Sequence, residues 1–189
     1  MKQQLYYTVE VRDREGKLLK REKRKSRSYI KQWNELVCVQ CRQDTVTIKD
    51  TGGTNRTITK QAFNLVMAAA ATVVTYGIRV GRGSTAVTIS DYALETPCAQ
   101  GTGANAFEHQ ACTVTAPSVV GSSSSFPVKR ICYNNSGATI TVTEVGIYVG
   151  GHDGTSAYGF LGIRDVLVSS VDVPDGGGIT VTYTIKVTV

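Results

Sequence analysis

Long apolar runs are missing from this chain of 189 residues, and so is any group of residues that announces catalysis. Without about eighteen consecutive apolar residues, no membrane-spanning helix is expected. The opening Met1-Lys2-Gln3-Gln4 leads into a charged segment rather than an apolar one, so no export signal is expected either. The reading is of a protein made and held in a cytoplasm until something releases it. Five cysteines, an odd number, argue in that setting against a disulfide framework and for reduced thiols. Proline is scarce at four, while glycine reaches 19 and threonine is plentiful. That balance disfavours a helical protein and points to one mainly β domain with many turns.

The same sparseness limits the chemistry. Cys38-Val39-Gln40-Cys41 is a lone CxxC, and a structural zinc site needs two further ligands. Cys98, Cys112, His109 and His152 are available, but no second pair is spaced to match. Cys38 and Cys41 are therefore expected to be small core residues on a helix. Cys112 with His109, or His152 with Asp153, would need an orienting third group, and none is readable. Gly81-Arg82-Gly83 lacks the later glycine of a dinucleotide fingerprint and the Gly-Lys-Ser/Thr of a triphosphate loop, and reads as a hairpin turn. No catalytic residue, metal or cofactor is expected, and the protein is read as not being an enzyme.

What the chain does have is charge at one end and alternation at both. Up to Lys31 there are eleven Lys or Arg against four Asp or Glu, leaving ten against eleven in the rest, within a net charge of +6. Residues 1–27 read as a basic arm. Leu5, Tyr7, Val9 and Val11 alternate with polar residues, Asp13-Arg14-Glu15-Gly16 turns, and residues 17–25 return. Lys20, Arg21, Lys23, Arg24 and Lys25 make the return strand too basic for a core. They are the candidate assembly residues, on an exposed edge or a surface that docks on a neighbour. Interleaved acids and the lack of stacking aromatics argue against nucleic acid as the partner.

Residues 28–189 read as a β-sandwich or jelly-roll-like domain. It would open with a helix over about 29–41, capped by Ser26 or Ser28, with Ile30, Trp33, Val37 and Cys41 near one face and Leu36 beside it. A hairpin is expected over residues 45–59, and another where Val74, Tyr76, Ile78 and Val80 turn into Val87 and Ile89. Residues 97–110 and 120–125 read as loose segments. From Ile179 to the end, apolar residues alternate with Thr and Lys, and the preceding Pro174-Asp175-Gly176-Gly177-Gly178 predicts a terminal hairpin. Within residues 140–149 the apolar phase switches near Thr143 and Glu144. A β-bulge would do this, and it would let Glu144 form a buried ion pair with Arg164.

Several segments together resemble a group of tailed-bacteriophage virion proteins found beside capsid and tail components. They are Asp13-Arg14-Glu15-Gly16-Lys17, Ser26-Arg27-Ser28-Tyr29-Ile30, the Tyr76-Gly77-Ile78-Arg79-Val80-Gly81-Arg82-Gly83 run, Asn135-Ser136-Gly137, Glu144-Val145-Gly146-Ile147-Tyr148, Arg164-Asp165-Val166-Leu167 and the closing segment from Val173-Pro174. The resemblance implies a homo-oligomeric virion component, assembled in the host cytoplasm and contacting copies of itself and other capsid or tail proteins. Head decoration or outer-surface attachment is placed ahead of the tail, and no catalytic residues are implied. The alternative is a tail or fibre-tip module that binds a host receptor or glycan through loops around Tyr92, Phe107, His109 and His152.

Overall fold

The computed structural model describes residues 2–26 and 28–189; Met1 and Arg27, the two ends of the expected arm, lie outside the described residues. In chain order the elements are β1 (Lys2–Arg12), β2 (Leu18–Ser26), α1 (Lys31–Arg42), β3 (Val46–Lys49), β4 (Asn55–Ile58), β5 (Gly77–Gly81), β6 (Ala99–Gln100), β7 (Ala106–His109), β8 (Thr113–Val114), β9 (Ser118–Val120), β10 (Ser123–Tyr133), β11 (Ile140–His152), β12 (Ala157–Val173) and β13 (Gly178–Thr188). The fold is mainly β and sandwich-like. One sheet runs β2, β1, β13, β10, β7, β6, with β8 and β9 also on β10; a second runs β12, β11, β5; β3 and β4 pair separately.

Period-two alternation sends Leu5, Tyr7, Val9 and Val11 of β1, Ile179, Val181 and Tyr183 of β13, and Val128 and Cys132 of β10 inward. There they meet Ile78, Val142, Ile147, Val149 and Phe160 of the smaller sheet in one buried cluster. Each large apolar side chain so buried stabilises the fold by about 1.5–3 kcal/mol.

β1 lies antiparallel to β13 along its whole length, from Lys2 opposite Thr188 to Arg12 opposite Gly178. It is an interior strand, so residues 2–26 are built into the sheet instead of standing off it as an arm. The alternation that marks β1 as a strand is the alternation of a core strand, and only β2 is left at the edge.

Two expected hairpins are replaced by crossings between sheets. The turn at Pro174 does reverse the chain, but β13 pairs with β1 and β10 and not with β12. Val171 and Val173 reach the core from one sheet, Ile179 and Val181 from the other, so the turn closes an end of the sandwich. Likewise β5 pairs with β11, and Val87 and Ile89 lie in irregular chain. The hairpin of β3 and β4 does form, with Val46 opposite Ile58. Residues 120–125 are not a loose loop: Val120 faces Ser123 across a two-residue Gly121-Ser122 turn. The loose segment 97–110 contributes β6 and β7.

Helix α1 begins after Ile30, whose side chain gives no cap. The Ser26 and Ser28 hydroxyls expected there are taken by Asp165, at 2.8 and 3.2 Å. The buried face of α1 is Gln32, Leu36 and Val39, packed on β12 and β3. That rotation leaves Cys41 exposed and Cys38 half-buried, so neither is the core residue expected of it.

Candidate functional site

Along β11, Ile140 and Val142 face the core in one phase and Val145, Ile147 and Val149 in the other. The ladder breaks at that switch: Val142 lies opposite Val171, but Glu144 lies opposite Val166. The surplus chain is therefore on β12, where residues 167–170 stand against Thr143 alone. It is not the single extra residue on β11 that the sequence pattern predicts.

The irregularity delivers Glu144 to a fully buried position beside Arg164, whose Nε donates to Glu144 Oε2 at 2.9 Å. Three backbone N–H groups complete the carboxylate's partners. Gly83 and Thr96 donate to Oε1 at 3.0 and 2.8 Å, and Glu95 donates to Oε2 at 3.1 Å. A Cβ at Gly81 would sit 2.5 Å from Oε1, so glycine is what lets the backbone close over the acid. Gly81-Arg82-Gly83 is thus a cradle for Glu144 and not a hairpin turn. Arg164, 2% exposed, also donates through Nη1 to Asp91 Oδ2 at 2.7 Å and through Nη2 to the Thr85 carbonyl at 3.2 Å, with Glu95 Oε2 3.5 Å away.

Electrostatics matches this geometry. Burial pulls the Arg164 guanidinium down, but its bonds to Asp91 and Glu144 outweigh that and leave it above its usual range. Burial pushes Asp91 up, yet the Thr88 hydroxyl and Arg164 together hold it below the usual carboxylate range. Glu95 is held low by the Thr85 N–H and hydroxyl first, with Arg164 adding to it. A depression of about 290 Å³ lies over this group, lined by Thr85, Asp91, Leu94, Glu95 and Arg164 among others. Every charged group there is already hydrogen-bonded within the protein. The arrangement clamps the irregular chain between β5 and β6 onto β11 and β12, helped by Tyr148 Oη, which accepts the Leu94 N–H at 2.9 Å.

Four other buried polar residues carry little sequence signal. Arg130, 1% exposed, has no carboxylate partner among the described residues: Nε donates to the Gln110 carbonyl at 2.7 Å, Nη1 to Ile78 at 3.1 Å, and Nη2 to Val73 at 2.6 Å. Arg79 is similarly held by the Val74 and Cys98 carbonyls at 2.7 and 2.6 Å. Burial lowers both guanidiniums. Beside them His109 is fully buried and driven down to about 3, chiefly by burial and then by the two arginines. Its Nδ1 faces the Gln100 Oε1 and Phe107 carbonyl acceptors, which sets the Nδ1–H tautomer and leaves Nε2 without a partner among the described residues. Arg130 could have been noticed as a charge in the inward phase of Phe126, Val128 and Cys132. Among the described residues, buried Asp165 has hydroxyl donors only, Ser26, Ser28 and Tyr183; burial raises its pKa against their pull.

The candidate assembly residues lie on β2, the terminal strand of the large sheet. Arg21, Lys23, Arg24 and Lys25 are exposed and Lys20 is half-buried. Lys20 Nζ donates to the Ser170 carbonyl at 2.6 Å, Arg21 pairs with Glu10 at 3.1 Å, and Arg24 with Glu22 at 3.2 Å. The residues suggested for a receptor site are scattered in character: Phe107 and His109 are buried, and Tyr92 is exposed with Lys49 Nζ 5.2 Å from its ring centre. Cys98, Cys112 and Cys132 are buried thiols, raised by desolvation. Among the described residues no three His, Cys, Asp or Glu side chains converge as a metal would require. Compared with family models, curated proteins and solved structures, the chain matches none.

Proposed function

We propose that this chain is a structural building block that works by assembly, within the virion of a tailed phage, and not an enzyme. The observation that carries the reading is β2, a basic strand that ends the large sheet. Its outer backbone edge suits strand addition by an extended segment of a partner, and its lysines and arginines favour an acidic one. The saturated hydrogen bonding around Glu144 and Arg164 supports the non-enzymatic part, because a working acid or base needs a free partner site. The segments that resemble virion proteins supply the setting: partners would be other copies and other virion proteins, on the capsid or outer surface, with assembly in the host cytoplasm. The glycan- or receptor-binding alternative is weakened by the burial of Phe107 and His109.

Particles banded on a density gradient and analysed by mass spectrometry should contain the chain in many copies. Lys23→Glu with Lys25→Glu should lower its incorporation while leaving its thermal melt unchanged. Particles devoid of a chain that is abundant in the lysate would overturn the reading.

A further inference from the structure

We infer that β9, with the apolar face beside it, is a two-fold interface for a second copy of this chain. Among the described residues β9 pairs only with β10, on the side away from β13. Val119 lies opposite Ser124, which lies opposite Val187 on β13; Val114 lies opposite Val128. Ser124 shares the inward phase of Phe126 and Val128 on β10, so Val119, Val187 and Val114 continue the core face of the large sheet. Val128 is fully buried under the second sheet, whereas Val119 is 75% exposed, Val114 39% and Val187 37%. The core face of one sheet thus runs past its cover and ends in an apolar ledge.

Charge selects what can cover it. Residues 111–128 contain no Asp, Glu, Lys or Arg, in a chain of net charge +6. Two copies approaching through β2 would stack lysine on lysine, which is how natural edges resist pairing. Two copies approaching through β9 meet no like charge, and β9 has no basic residue to guard it. Antiparallel pairing of β9 with its counterpart about Val119 is self-complementary, so the contact closes at two copies. It would add main-chain hydrogen bonds and bring the two valine ledges together. The inference deepens the assembly reading above and rests on it in taking the chain to be a building block.

The test is sedimentation equilibrium of the full chain from micromolar to submillimolar concentration, with Val119→Lys, Val119→Thr and the Lys23→Glu/Lys25→Glu variant, each checked by thermal melt. A reversible dimer is expected for the wild type and for the β2 variant. V119K should be monomeric with an unchanged melt, and V119T, which keeps a β-branched side chain, should weaken the dimer roughly tenfold or more. If V119K fails to fold, V119T decides. A wild type that stays monomeric throughout overturns the interface, including when another protein proves to occupy this edge, and so does a dimer that V119K and V119T leave intact. Neither result bears on whether the chain is found in particles, so the two readings fail separately.

Discussion

At the scale of the residue, the molecule's most demanding position is Glu144, a carboxylate with no exposure, three backbone donors and one cation. Arg164→Leu would leave that charge buried and uncompensated, and should destabilise the fold by about 3–5 kcal/mol in urea titrations. Retention of full stability by R164L would show that the pair is not a brace. His109 makes a different demand, because its pKa is lowered to about 3 from an ordinary value of 6.5. A depressed histidine contributes stability that is complete above its unfolded pKa and is lost as pH falls towards the folded one. Between pH 6.5 and 3 the loss should approach about 1.4 kcal/mol per pH unit. His109→Asn, which keeps a donor near the Nδ1 position, should flatten that slope when urea midpoints are measured against pH. Asp91 and Glu95 are also depressed, and their contribution is present above about pH 4 and lost below it. The acid slope that survives in H109N should therefore begin only near pH 4.

At the scale of the element, alternation was enough to find β1, β13 and the hairpin of β3 and β4, because half-buried strands write their inward face into every second residue. It could not say which strands are neighbours. β12 and β13 adjoin in sequence across a good turn, yet belong to different sheets, since both must present valines to one core. The pairing of Glu144 with Arg164 was readable because a phase switch and an interrupted apolar run each required a partner. Arg130 shows itself as a charge in the inward phase of β10, but its partners and those of Arg79 were not readable, because they are carbonyls of irregular chain that leave no trace in residue identity. The stripe of α1 was misplaced because Gln32, a polar residue, occupies the buried face with Leu36 and Val39. β2 offers the corresponding prediction: its outward charges support no core, so Lys23→Glu with Lys25→Glu should change unfolding free energy by about 0.5 kcal/mol or less. A larger loss would mean that the strand's charges hold the sheet itself.

For the whole molecule, the central fact is that the eight-stranded sheet joins the chain's first strand to its last. Deleting residues 1–27 removes an interior strand and the buried Leu5, Tyr7, Val9 and Val11 with it. The truncated chain is expected to show no cooperative thermal transition by circular dichroism. A cooperative melt near that of the full chain would show that β1 is dispensable to the core. Probing docking by substitution on β2 avoids this confusion, since the substituted chain keeps the strand.

The register of β1 against β13 also sets a timetable. During synthesis at about 5–20 residues per second, some ten to forty seconds separate the emergence of β1 from that of its partner. Through that interval the nascent hairpin of β1 and β2 carries an apolar stripe with nothing to lie against. The basic residues of β2 travel on the same hairpin, and like charge of this kind disfavours pairing between neighbouring chains along that edge. The charges that dress one edge of the finished sheet would guard the unfinished one in the same way.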